Sequence, residues 1–122
     1  MKVIKITVDD KLSILDTDNS YESLCNLLPD ADGIEFVTPR YTDRGTVLVV
    51  DECGKLKGRL INAVPSFMYG YQTVHHSPIV GDVLIMKYVL DATGMNYVPL
   101  TDKEAETRAK KLLKEFGFLR RI

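Results

Sequence analysis

Thr46-Val47-Leu48-Val49-Val50, followed by the turn Asp51-Glu52-Cys53-Gly54, decides how this chain folds. Five consecutive β-branched or aliphatic residues bounded by turn residues read as a strand with both faces covered. A strand with one wet face would alternate apolar and polar side chains instead. A second apolar run, Ile79 to Leu90, gives the other strong strand, with Gly81 as a bulge or a site of close backbone approach. Ile34 to Val37 lies upstream as a hairpin partner for the first run, joined to it by the loop from Thr38 to Gly45. Val3, Ile4, Ile6 and Val8 form a strand ended by Asp9-Asp10, and Leu12 and Ile14 its return partner. Downstream, Asp91-Ala92-Thr93-Gly94 turns the chain into a short strand from Met95 to Val98.

Two stretches carry helical spacing. Tyr21, Leu24, Cys25 and Leu28 fall at i, i+3, i+4 and i+7, with Asn19 expected as N-cap and Glu22 as its capping-box partner. Thr101 and Glu104 form a second capping box, and Ala105, Ala109, Leu112, Leu113 and Phe116 the buried stripe behind it. Gly117 is expected at the C′ position, and Gly54 at the left-handed position of its turn. From Ala63 to Pro78 no period emerges, which leaves a long irregular segment of the kind that carries function or hides an element. The sum is a single α+β domain over residues 1–122. It has a mainly antiparallel sheet of five to six strands and two helices packed on one face, with the C-terminal helix over the two strong strands.

Composition bounds the function classes. The chain has 122 residues, 16 Lys+Arg against 17 Asp+Glu, and 45% hydrophobic content, which is ordinary for a globular domain and excludes disorder and collagen. A net charge of −1 argues against a general nucleic-acid binder. The charge is divided unevenly, since the segment from Thr101 onward is basic and the rest acidic, but basic residues late in a helix also complement its dipole. No apolar run reaches the roughly 18 residues of a membrane helix, and the strand-like start is unlike a signal peptide. Cys25 and Cys53 lack a C-x-x-C pattern, so a cytoplasmic setting with both thiols reduced is expected.

No arrangement of residues compels a reaction. Gly54-Lys55 lacks the upstream glycine and the following hydroxyl of a phosphate loop. His75 and His76 are adjacent, so on an extended segment their rings point to opposite faces and cannot share a metal ion. The carboxylate pairs all sit at turns or caps, where Asp has a local role. No metal and no cofactor is expected. What remains is a set of cations and aromatic residues in the loops: Arg40, Tyr41 and Arg44 in one, Lys55 and Arg59 in the next, then Asn62, Tyr69, Tyr71, His75 and His76. The cations would offset an anion, the aromatic rings stack, and Asn62 would hydrogen-bond to the ligand.

Glu52, Gly54, Lys55, Leu56, Gly58, Asn62, Gly81, Leu100 and Thr101 occur in an order and spacing that resemble domain-of-unknown-function family 3846, small proteins of phages, plasmids and conjugative elements. The chain departs from that pattern at Ala63, where members usually place Arg. The resemblance implies a mobile-element setting inside a bacterial host cell and supplies no activity. With it, the expected function is a non-catalytic accessory protein, plausibly anti-defence, that occludes a host defence protein or sequesters a small nucleotide-like anion. The alternatives are a small hydrolase or nuclease-like enzyme using His75 or His76, and a structural or regulatory homo-oligomer. No membrane or nucleic-acid partner is expected.

Overall fold

The computed structural model describes residues 1–39, 44–70 and 77–122. It runs β1 (Lys2–Ile6), β2 (Lys11–Asp16), α1 (Tyr21–Asn26), β3 (Ile34–Val37), β4 (Thr46–Asp51), α2 (Ala63–Tyr69), β5 (Val83–Asp91), β6 (Gly94–Val98), α3 (Asp102–Glu115) and β7 (Arg120–Arg121). β4 is buried at all six positions, as its unbroken apolar run requires. Its side chains alternate between two cores. Leu48 and Val50 join one, and Val47 and Val49 the other. β5 alternates in the same way, with Val83 and Ile85 on the first side and Leu84 and Met86 on the second.

The seven-stranded sheet follows the order β3-β4-β5-β1-β2-β7. β4 pairs antiparallel along one side of β5, while β1 and β6 share the other side, opposite residues 83–85 and 87–91 respectively. Every pairing is antiparallel except the short parallel contact of β2 with β7. Total accessible area is 6869 Å², close to the roughly 6,600 Å² expected of a folded chain of this mass.

The α+β class and the mainly antiparallel sheet are as the sequence suggests, but among the described residues the helices number three and divide between the faces. α2 contributes Val64 and Met68 to the first core, and α3 contributes Ala105, Ala109 and Leu112. α1 packs Leu24, with Leu28 just beyond it, into the second. α3 lies chiefly against β1 and β2, not over β4 and β5. It reaches those strands through polar bonds, with Arg108 donating to Thr46 Oγ1 at 2.6 Å and Lys87 to Glu104 at 2.7 Å. Two helices on one face would leave the other side of β4 bare, and α1 is what covers it.

Several local expectations change for reasons of cap chemistry. Ser20, not Asn19, caps α1, its hydroxyl accepting from the Ser23 amide, while Asn19 takes a positive φ of 64°. α2 occupies the start of the segment that shows no period. β5 begins at Val83 because Gly81 breaks the run with φ 78°, a conformation that also lets Arg59 lie against it. A Cβ at residue 81 would stand 2.8 Å from Arg59 Cδ. Among the turn glycines Gly58 takes the left-handed conformation and Gly54 does not, and Gly117 has no positive φ either. The Thr101–Glu104 capping box forms as expected. Thr101→Ala should lower stability by about 1 kcal/mol, read as a shift of the urea midpoint with unchanged slope.

Candidate functional site

Asn62 is the knot from which the site is built. It sits at the N-cap of α2 with an accessible area of 0%. An N-cap side chain normally accepts from the amide two or three residues on. Here the third residue is Pro65, which has no N–H, and the Asn62 side chain makes no cap bond. Its Nδ2 donates instead to Ile6 O and Gly81 O, both at 3.0 Å, joining the end of β1 to the approach of β5. Its Oδ1 is buried without a hydrogen-bond partner among the described residues. Ser66, one turn into α2, accepts the Ile79 amide at 2.9 Å, and its hydroxyl lies 2.6 Å from Asn62 O. α2 and the segment 77–80 are thereby locked together.

A second polar cluster fixes the turn after β4. Asp51 is buried, and its carboxylate accepts from the Cys53 amide, from Lys57 Nζ at 2.9 Å and from Arg59 Nε at 3.0 Å. Burial alone would raise the pKa of this carboxyl. The Lys57 ammonium, the Cys53 amide and Arg59 outweigh it and hold the group below its ordinary value. Lys57 also donates to Asp30 O at 2.6 Å and Arg59 to Pro29 O. The turn is thus anchored to the segment that follows α1.

Between these two anchors lies a cleft of about 240 Å³. Its floor is Val37 of β3 and Val50 of β4, and its far wall Pro78, Ile79 and Val80. Tyr69 closes one side, the turn residues Gly54, Lys55 and Leu56 another, and Glu35 and Glu52 stand at the rim. Lys55 Nζ donates to Ser77 Oγ across the mouth. Lys55 is exposed, and this contact fixes its side chain over the opening of the cleft. Among the described residues no group of three His, Cys, Asp or Glu could hold a metal ion, and no helix is long and apolar enough to cross a membrane.

Of the residues singled out in the sequence, Lys55 and Tyr69 line the cleft together. Arg59 is committed to Asp51, and Asn62 to the core, where its donors meet backbone carbonyls instead of facing a ligand. Arg44 is exposed in the turn before β4, whereas the cleft lies at the end of that strand. At about 3.4 Å of rise per residue the two are separated by roughly 20 Å. Arg40, Tyr41, Tyr71, His75 and His76 fall outside the described residues.

No family model, no curated protein and no solved structure matches this chain.

The loop cations and aromatic residues proposed as ligand contacts leave out Glu35, Glu52 and Ser77 of the cleft, and three aliphatic residues beside it. Leu56 is 90% exposed, Leu60 71% and Ile61 60%. Leu56 lines the cleft itself, Ile61 bridges to Val80 of its wall, and Leu60 lines a neighbouring depression with Pro29, Arg59 and Gly81. The signal was present in the string Lys55-Leu56-Lys57-Gly58-Arg59-Leu60-Ile61. A turn anchored through Lys57 and Arg59 to one buried carboxylate needs no exposed leucines, yet it carries them.

Proposed function

We propose that this chain is a non-catalytic binding protein that captures a protein partner on the surface formed by the cleft and the aliphatic rim Leu56, Leu60 and Ile61. The observation that carries this reading is the mismatch between charge and apolar exposure at the site. Among the described residues the rim offers two carboxylates, Glu35 and Glu52, against one cation, Lys55, a balance that disfavours a small anion such as a nucleotide. Three large, highly exposed aliphatic side chains next to a concave wall favour an apolar anchor from another protein. The mobile-element setting, with a host defence protein as the partner, rests on the resemblance to domain-of-unknown-function family 3846.

A photo-crosslinking residue placed at Leu56, in the full chain expressed in bacterial cytoplasm, tests this directly. The expected result is one discrete protein adduct, lost in the L60D/I61D double variant, with no small molecule released when the purified protein is denatured. A nucleotide recovered in stoichiometric amount by ultraviolet absorbance and mass spectrometry would overturn the protein reading in favour of sequestration. Adducts that survive the double variant would remove the rim from the argument.

A further inference from the structure

A sheet edge is a row of backbone donors and acceptors ready to pair with another chain, and soluble proteins blunt such edges. Two of the edges here are blunted. β3 presents the exposed Glu35, and its first outward amide, Ile34 N–H, donates to the Tyr21 hydroxyl at 3.1 Å. β7 is two residues long, and both are arginine. β6 is different. Gly94-Met95-Asn96-Tyr97-Val98 has neither charge nor proline, and among the described residues it pairs only with β5.

The direction of its backbone groups follows from the ladder. Tyr88 N–H donates to Gly45 O at 2.8 Å, on the β4 side of β5. Tyr88 and its partner Tyr97 are therefore a pair whose amides point away from each other, and in an antiparallel ladder the pair two residues on repeats the pattern. That pair is Leu90 and Met95. The amide and carbonyl of Met95 thus face outward from the sheet. At the far end Asn19 Nδ2 approaches Tyr97 O at 3.5 Å, which leaves the Met95 end uncovered by that side chain.

The same hairpin carries apolar surface beyond the body of the sheet. β4 pairs with β5 no further than Lys87, and β1 no further than Ile85. Beyond them Leu90 is 72% exposed and Met95 49%, facing each other on one side of a two-stranded arm. Such an arm is marginal in water without further cover.

We infer that β6 pairs with β6 of a second copy of this chain, antiparallel across a two-fold axis at Met95. Each Met95 N–H then donates to the other copy's Met95 carbonyl. Leu90, Met95 and their two counterparts line up as one apolar row on one face of the continuous sheet. The occupant is a second copy because the strand meets itself without like charges in contact, and because the chain's net charge of −1 opposes association little. An isologous contact also closes, so it yields dimers and not fibres. The inference is independent of the partner proposed for the cleft, which lies across β4 and β5 from this edge.

Sedimentation equilibrium of the full chain is the test. The expected mass is twice the 13.8 kDa of one chain, and the Met95 amide should exchange with solvent more slowly as concentration rises. Met95→Lys places two like charges together at the axis, and Leu90→Lys breaks the apolar row one strand further out; each should weaken the dimer by about tenfold or more. Each variant should keep the wild-type thermal transition at low concentration, where the chain is monomeric. Met95→Pro, which removes only an outward amide, should do the same, and the lysine variants decide the matter if it fails to fold. A monomer up to millimolar concentration, a dimer unmoved by both lysine substitutions, or an extended peptide of another protein found along β6 would each overturn the inference.

Discussion

Asn62→Leu should destabilise the protein by about 2–4 kcal/mol, since two buried carbonyl oxygens lose the Asn62 side-chain donor while the volume is kept. The two carbonyls belong to Ile6 and Gly81, far apart in sequence, so the loss loosens a junction between β1, β5 and α2. Of the order of 5–15 kcal/mol holds a domain of this kind together, so the fraction lost is large. Asn62→Asp should be worse than Asn62→Leu. An ionised carboxylate there would face two carbonyl oxygens with no donor to offer, in a site of zero accessibility. It could remain only by taking up a proton. The order wild type, Leu, Asp in chemical denaturation at neutral pH is the check. Recovery of the Asp variant at low pH, where its carboxyl can donate one bond, would confirm that donation is what the site demands. Equal stability of all three would remove Asn62 from its place as the junction.

That junction also explains which parts of the molecule the sequence exposes and which it hides. The run Thr46 to Val50 is legible because two-sided burial leaves no room for a polar residue, and the Thr101–Glu104 box because a cap is a local bargain between residues three apart. α2 is hidden for the opposite reason. Its N-cap makes no side-chain bond, its first turn contains proline, and Phe67 and Tyr69 mask the spacing of Val64 and Met68. What makes it a helix is tertiary: Asn62, Ser66 and Ile79 hold it against β1 and the start of β5. The same logic governs the site. Lys55 and Tyr69, both singled out in the string, come together on the lining of one cleft. Arg59 looks equally available in the string, but a carboxylate eight residues earlier claims it. No rule of spacing announces that Asp51 is buried and Glu52 exposed. That difference follows from β4 ending at Asp51, so that the turn begins one residue later.

The second large effect concerns that carboxylate. Asp51→Asn keeps the shape and loses the charge, leaving Lys57 and Arg59 facing a neutral amide that must also present two N–H donors to cations. Breaking a buried ion pair costs about 3–5 kcal/mol. Lys57 and Arg59 keep 28% and 19% of their side-chain area in solvent, which reduces the figure to about 2 kcal/mol. The pH dependence gives the sharper reading. Asp51 has a folded-state pKa below its ordinary value, so the folded state holds fewer protons than the unfolded state as pH falls toward the unfolded value of about 3.9. Its stabilisation is complete above that value and is lost as pH drops through the lower, folded one. Urea midpoints measured between neutral pH and pH 3 should therefore fall less steeply for Asp51→Asn than for the wild type, the two curves converging at the acid end. The cleft is coupled to the same group, because Gly54, Lys55 and Leu56 hang from the turn that Asp51 anchors. Partner capture at Leu56 should weaken in parallel with that acid limb in the wild type, whereas in Asp51→Asn it should be weak at every pH. Capture that stayed strong in the variant would mean the turn keeps its shape without its anchor.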